Sequence, residues 1–258
     1  MKKIFSIALA VLVLTACKKD PVEHEHEPEP TPAPTVGNLM VEIEAKAGTD
    51  SLIFDTKDYV NANLDSFKVT LLKYYLSNIV LTKSDNSTYK AEGGYFLIDH
   101  KAGANKITLS GVPIANYKSI SFLIGVDSLR NVSGAQDGAL ATSNGMFWSW
   151  SSGYIFAKME GSSPKSIAAN NALRFHVGGF SGANNALRTA TISFGTNSAN
   201  VSGSTTPAIH LSADIKKWFT GANTTNFATT NVIHMPGTSA VNMSANYVNM
   251  FTLEHIHN

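Results

Sequence analysis

Histidines are the residues of this chain whose type and spacing best support chemistry. His255 and His257 are separated by one residue, so an extended segment would place both imidazoles on the same side. Imidazole is a ligand suited to copper, zinc, iron and nickel, and two rings on one side can reach one ion. The pair predicts a transition-metal site, and the alternative is a frayed polar chain end.

His176 is a further candidate ligand. It lies between Phe175 and Val177 in a strand-like run. The alternative for this residue is a core or barrel-lining histidine with a satisfied hydrogen bond. The other histidines beyond residue 37, which have weaker support as ligands, are His100, His210 and His234.

Two of the three tryptophans, Trp148 and Trp150, fall in an aromatic run between residues 145 and 161. If this run is a strand, the alternation of side chains places both tryptophans on one side of a sheet. One interpretation is core packing, because aromatic side chains bury large areas and favour strands. The other is that the two rings line a ligand or metal pocket.

Signals of catalysis are weak. The sequence has no Gly-x-Ser-x-Gly elbow, no His-Glu-x-x-His and no phosphate-binding Gly-rich loop. No carboxylate pair has a spacing that assigns acid and base roles, so an enzyme is the weaker class. The long polar loop of residues 127–145 either supplies oxygens to a hard cation such as calcium or is simply solvated; its candidate ligands are Asp127, Asn131, Asp137 and Asn144.

The N-terminus has the pattern of an exported lipoprotein. Lys2 and Lys3 precede an apolar segment, residues 4–14, that is shorter than the roughly 20 residues needed to cross a bilayer. The Leu-Thr-Ala-Cys sequence that ends at Cys17, the lone cysteine, resembles a bacterial lipobox. We therefore predict a signal peptide over residues 1–16 and acylation of Cys17, which would give stable membrane anchoring.

Residues 17–37 are predicted to form a disordered, lipid-anchored tether, because they are rich in Pro and Glu and nearly lack apolar side chains. Lys18, which follows the cysteine, favours the outer membrane over retention in the inner membrane. Residues 23–27, Glu-His-Glu-His-Glu, either chelate a divalent ion loosely or serve as an acidic spacer.

Residues 38–258 are long enough for one domain with its own core, and the near-neutral charge gives no reason to expect a nucleic-acid partner. Short alternating runs separated by turn residues predict an all-β fold, an antiparallel β-sandwich with one or two short helices. The predicted helices cover residues 214–219, capped by Asp214, and 241–251. The predicted strands outside the aromatic run cover residues 39–45, 67–81, 95–98, 107–109, 119–126, 173–177, 189–194 and 207–211.

Several longer motifs resemble the MbnP-like family, bacterial envelope proteins named for a methanobactin-associated copper-binding protein. The resemblance extends over residues 39–258 and is with the lipoprotein branch of the family. The matching motifs are Tyr74–Ile79, Gly125–Ser128, Asn131–Ala139, Gly145–Trp150, Gly153–Lys158, Phe175–Gly179, Asn246–Phe251 and His255–Asn258.

This resemblance implies a β-sandwich, export to the envelope, and copper bound by histidines together with kynurenine, an oxidised tryptophan. It also implies a di-haem peroxidase-like partner. On this basis we expect copper ligands at His176, His255 and His257, with Trp148 or Trp150 beside the metal or as the oxidised residue.

Three functions follow from these patterns. The first is an envelope lipoprotein that binds copper for sequestration or handover. The second is a metal-free envelope module that binds a glycan or small molecule stacked on Trp148 and Trp150. The third is an accessory protein of a di-haem peroxidase system.

Overall fold

The computed structural model of the protein describes residues 35–134, 136–149 and 151–258. The predicted signal peptide, Cys17, almost all of the predicted tether and Trp150 lie outside the described residues. The described part contains sixteen strands, numbered in chain order: β1 (Val36–Ala47), β2 (Asp50–Ser51), β3 (Tyr59–Val60), β4 (Ser66–Lys83), β5 (Thr88–Lys90), β6 (Tyr95–Asp99), β7 (Lys106–Pro113), β8 (Ala115–Ile124), β9 (Phe147–Ser149), β10 (Gly153–Ser162), β11 (Ala172–Gly178), β12 (Arg188–Ser193), β13 (Ala199–Val201), β14 (Ala208–Asp214), β15 (Val232–Ile233) and β16 (Phe251–His257).

Two α-helices and several single 3-10 turns connect the strands. The α-helices within the described residues are α1 (Ser128–Asn131) and α2 (Thr238–Tyr247), and the 3-10 turns are Gly138–Leu140, Thr142–Asn144, Ala169–Asn171, Gly182–Asn184 and Ile215–Trp218. No helix in this part of the chain has the length and apolar content needed to cross a bilayer.

The strands of the described residues form two sheets. The five-stranded sheet has the order β16-β14-β1-β2, and β7 also pairs with β1. The eleven-stranded sheet has the order β12-β8-β4-β10-β11-β15, with β13 on β8, β9 on β10, and β3, β5 and β6 on β4. Most pairs are antiparallel, while β1 with β14 and β11 with β15 are parallel.

The two sheets pack face to face around one hydrophobic core. Leu39, Val41 and Ile43 alternate along β1 and are buried, because every second side chain of a strand points to the same face. Across the interface, the ring of Phe251 on β16 contacts Tyr74 and Phe122 of the larger sheet, at centroid distances of 5.6 and 4.9 Å. The predicted all-β sandwich is therefore confirmed.

The aromatic run is a hairpin rather than one strand. Its two halves, β9 and β10, are paired with each other. Gly153, at φ 72°, begins β10, and a Cβ atom there would lie only 2.2 Å from Oδ1 of Asn131. This close approach explains why glycine interrupts the run.

Both predicted helices are shorter than the sequence suggested. Asp214 caps a single 3-10 turn by accepting a hydrogen bond from the Lys216 amide. The second helix ends at Tyr247, and Phe251 belongs to β16, where it packs in the core. The predicted segment 241–251 therefore combined the second part of a helix with the first residue of the following strand, and the buried face of that helix is instead formed by Ala240, Met243, Ser244, Asn246 and Tyr247.

Candidate metal centre

Three histidines meet on the outer face of the five-stranded sheet and form what we call the three-histidine centre: His210, His255 and His257. One ring nitrogen of each residue lies within 4.8 Å of the other two. The Nε2 atoms of His255 and His257 are 3.1 Å apart, which confirms the predicted same-side placement. The third imidazole comes from the neighbouring strand β14, where His210 lies directly opposite His255.

An irregularity in β16 aligns these imidazoles. Phe251 and Leu253 face the core side two residues apart, but the next residue on that side is Ile256, three positions later. The register shifts between the His210–His255 and Leu211–Leu253 pairs, so Glu254 is the extra residue of a β-bulge. Without the bulge, strict alternation would turn both histidines of β16 towards the core.

The end of β16 is held in place. The strand pairs with β14 as far as the His257–Ala208 pair. Beyond it, the Asn258 side chain accepts a hydrogen bond from the Asn200 amide and donates one to the carbonyl of Ser198, at 2.7 and 3.1 Å. The two exposed histidines therefore lie on an ordered strand and not on a frayed chain end.

The electrostatic environment keeps His210 in the form that binds metals. Burial lowers the pKa of His210, and the nearby His255 acts in the same direction, while Glu42 opposes both. The Glu42 carboxylate lies 3.8 Å from Nδ1 of His210. A neutral imidazole has a lone pair free for a metal, whereas a protonated one does not.

The spacing and chemistry of these three residues fit a first-row transition ion. An imidazole nitrogen lies about 2.0–2.1 Å from a bound zinc ion, so two such ligands are at most about 4.2 Å apart. The ring nitrogens here lie within 4.8 Å of one another, and rotation of the rings about the soft torsion at Cβ can bring them to that shorter separation. A set of three imidazole ligands suits copper or zinc better than a hard cation such as calcium.

His176 does not join the three-histidine centre. It lies on β11 of the other sheet, where its Nε2 atom is 2.8 Å from a carboxylate oxygen of Glu160 on β10. Burial lowers the pKa of His176, and the Glu160 hydrogen bond opposes that effect. The structure thus places His255 and His257 beside His210 and apart from the expected third ligand, His176, which has the satisfied hydrogen bond of the alternative interpretation.

Trp148 lies against the hydrophobic core. Its ring is so close to Gly178 on β11 that a Cβ atom there would approach it to 2.7 Å. It belongs to the eleven-stranded sheet through β9, while the three-histidine centre is on the five-stranded sheet. The structure therefore does not bring Trp148 together with His255 and His257, and Trp150 lies outside the described residues.

The polar loop after β8 uses its side chains for local hydrogen bonds. Asp127 caps α1 by accepting from the Arg130 amide and also contacts the Tyr95 hydroxyl. Asn131, only 2% exposed, is fully engaged with backbone groups. Asn144 donates to two carbonyls of the same loop. These contacts of Asp127, Asn131 and Asn144 organise the loop and favour the interpretation of a simply solvated loop over that of a calcium site.

Sequence reasoning placed His210 in a strand but did not select it as a ligand. The missing information was the register between β14 and β16, because no local pattern states which residues lie opposite each other. One signal was available: the spacing of Phe251, Leu253 and Ile256 breaks the period of two and indicates a bulge beside the histidine pair.

Comparison with known proteins gives a family and an anchoring signal. The family model described as MbnP matches residues 36–236, and the model of the prokaryotic membrane lipoprotein lipid attachment site matches residues 1–17. The protein is thus a lipid-anchored protein of the cell envelope. The histidine pair of β16 lies beyond the end of the family match.

Among solved structures, MbnP from Methylosinus trichosporium resembles this fold, with a TM-score of 0.50 and 14% sequence identity over 71% of this chain and 77% of that one. No curated protein sequence matches significantly. The family match covers most of the chain and the solved structure shares the fold. The chain therefore belongs to the MbnP family.

Proposed function

We propose that this protein is an envelope lipoprotein that binds copper at the three-histidine centre. The observation that carries the proposal is the convergence of the three ring nitrogens of His210, His255 and His257 from two neighbouring strands. Copper is favoured over other divalent ions because nitrogen sites bind Cu²⁺ more tightly than Mn²⁺, Fe²⁺, Co²⁺, Ni²⁺ or Zn²⁺. The family resemblance points to the same metal.

Sequestration or handover is the activity that this geometry supports. His255 and His257 are exposed on an edge strand of the five-stranded sheet, so an ion held there is accessible to solvent and to another protein. Three protein ligands leave a coordination position through which a second molecule can receive the ion. We propose no catalytic step. The outer-membrane location and the di-haem peroxidase-like partner remain predictions of the sequence and of the family resemblance.

The test is a copper titration of the lipid-anchored chain in detergent, purified without chelators, in competition with a chelator of known affinity. We expect one tightly bound copper ion per chain, with nitrogen ligands in X-ray absorption spectra. The intact mass of the same sample reports whether Trp148 or Trp150 is oxidised. Absence of bound copper together with unmodified tryptophans would overturn the proposal and favour a metal-free binding module.

A further inference from the structure

A row of four side chains crosses the outer face of the five-stranded sheet and ends at the three-histidine centre. Lys106, Glu42, His210 and His255 are successive cross-strand partners on β7, β1, β14 and β16. The Lys106 ammonium lies 3.1 Å from Oε2 of Glu42, and the same oxygen lies 3.8 Å from Nδ1 of His210. The imidazole of His210 is in turn stacked on that of His255, with centroids 4.3 Å apart.

We propose that Glu42 is a positioning residue for the three-histidine centre, one that keeps the His210 proton on Nδ1 and leaves Nε2 free as the metal ligand. This inference rests on the proposed function. A metal-binding histidine almost always donates its other ring N–H to a carboxylate, a carbonyl or water, which fixes both its tautomer and its orientation. Glu42 is the carboxylate that faces Nδ1 of His210.

Lys106 completes the arrangement. Its ammonium pairs with the oxygen that faces His210 and so holds that oxygen beside the imidazole. At 3.8 Å the two atoms are just beyond hydrogen-bond distance, and a carboxylate oxygen without a proton only accepts, so in the hydrogen bond that a small ring rotation forms, Nδ1 of His210 is the donor. Lys106 is itself largely exposed; it forms an ion pair with Glu42, and its positive charge also acts directly on His210, where it helps to lower the pKa of the imidazole.

Glu44 provides a matched control. It lies two residues from Glu42 on the same face of β1, beside the same depression in the sheet. Its carboxylate accepts a hydrogen bond from Ser51 and lies 3.8 Å from the Lys46 ammonium. Among the described contacts of Glu44 there is none with a histidine. Glu44→Gln therefore removes one negative charge from the same face of the sheet but leaves the carboxylate beside His210 in place.

The first experiment uses the metal-free chain, with Glu42→Gln and Glu44→Gln compared with the wild type. Long-range proton–nitrogen NMR correlations of the imidazoles, recorded at about pH 8 so that the rings are neutral, report the tautomer of each histidine. The His210 signals are assigned by their loss in His210→Gln. We expect the Nδ1–H tautomer in the wild type and in Glu44→Gln, and a shift towards Nε2–H in Glu42→Gln.

The second experiment titrates the same three proteins with copper. Loss of a supporting partner typically weakens metal binding by about 10–100-fold, and we expect that loss in Glu42→Gln and no change in Glu44→Gln. An unchanged tautomer and affinity in Glu42→Gln would overturn the inference while leaving the proposed function intact. Loss of an oxygen ligand from the copper spectrum would also overturn it, because Glu42 would then bind the metal directly. A wild type that binds no copper would overturn both.

Discussion

The imidazole of His210 lies nearly parallel to that of His255, with 13° between the ring planes. An ion binds in the plane of each imidazole, and two stacked rings do not share a plane. At least one ring must therefore rotate when both ligands bind the same ion. The torsion between Cβ and the ring is broad and soft, so the backbone of β14 and β16 can stay in place while the centre closes.

The ligand set predicts a clear contrast between histidine variants. Replacing His210, His255 or His257 by alanine removes one of three nitrogen donors, so copper affinity should fall at least about 10-fold in each variant. His176→Ala, on the other sheet, and His234→Ala, at an exposed site, should bind copper as the wild type does. Competition titrations measure these affinities. A loss in His176→Ala equal to that in His210→Ala would contradict the centre described above.

The bulge predicts that one deletion beside the ligands is tolerated. Removing Glu254 restores regular alternation, in which Leu253 and Ile256 still face the core side and His255 still lies opposite His210. The deletion also removes the ion pair between Glu254 and Lys46, whose exposed position makes it worth about 0–1 kcal/mol. We expect copper affinity within about threefold of the wild type, measured by titration, with circular dichroism as the control for folding. Loss of binding in a folded deletion variant would mean that the bulge itself shapes the centre.

His100 predicts a loss of stability in mild acid. Burial lowers its pKa to about 4, and its Nε2 atom lies 2.8 Å from the hydroxyl of the buried Tyr74. Above pH 6.5 the imidazole is neutral in both the folded and the unfolded chain, so it adds no pH dependence. Between pH 6.5 and 4 the unfolded chain binds a proton that the folded chain does not, and stability falls with pH.

The expected cost for His100 at pH 4.5 is about 2–3 kcal/mol relative to pH 7.5. Urea unfolding of the metal-free protein at both pH values measures it, with a chelator present so that loss of metal does not contribute. His100→Gln keeps a hydrogen-bonding side chain beside Tyr74 but does not titrate. Between pH 7.5 and pH 4.5 its free energy of unfolding should therefore fall by about 2–3 kcal/mol less than that of the wild type. An equal loss in the variant would assign the acid sensitivity to other groups.

Asn131 predicts a structural effect in the polar loop. Its side chain donates to the carbonyls of Val126 and Asp127 and accepts from the Tyr154 amide at 2.8 Å. Asn131→Ala removes the side-chain partner of the buried Val126 carbonyl and of the Tyr154 amide, while the Asp127 carbonyl still accepts from the backbone amide of residue 131, so the free energy of unfolding should fall by about 2–3 kcal/mol. Urea unfolding measures the change, and Ser133→Ala in the exposed part of the same loop is the control. Calcium should stabilise neither protein, and a clear calcium dependence would restore the cation interpretation.

The lipid attachment site predicts that Cys17→Ser releases the protein from membranes. The variant retains residues 1–16 and its export signal but has no thiol to acylate. Without acyl chains, the protein should move to the soluble envelope fraction, because stable anchoring depends on them. Fractionation without detergent measures the distribution. Continued membrane association would show that another part of the chain holds it there.

The sequence by itself determined the class of fold and the way in which the protein is anchored. Alternation such as that of Leu39, Val41 and Ile43 specifies a strand with one buried face wherever it occurs, because the period of two is a local property. The lipobox at Cys17 is likewise a contiguous signal. The same local rule placed His255 and His257 on one side of a strand before their surroundings were known.

Only the tertiary structure decided which residues join that pair. His176 and His210 both lie in strands that were predicted from the sequence, and each has an apolar residue on either side. Their different roles depend on sheet membership and register: β14 pairs with β16, whereas β11 lies in the other sheet. Strand pairing is set by contacts between residues far apart in the chain, here 45 positions between His210 and His255, and local periodicity carries no information about such partners.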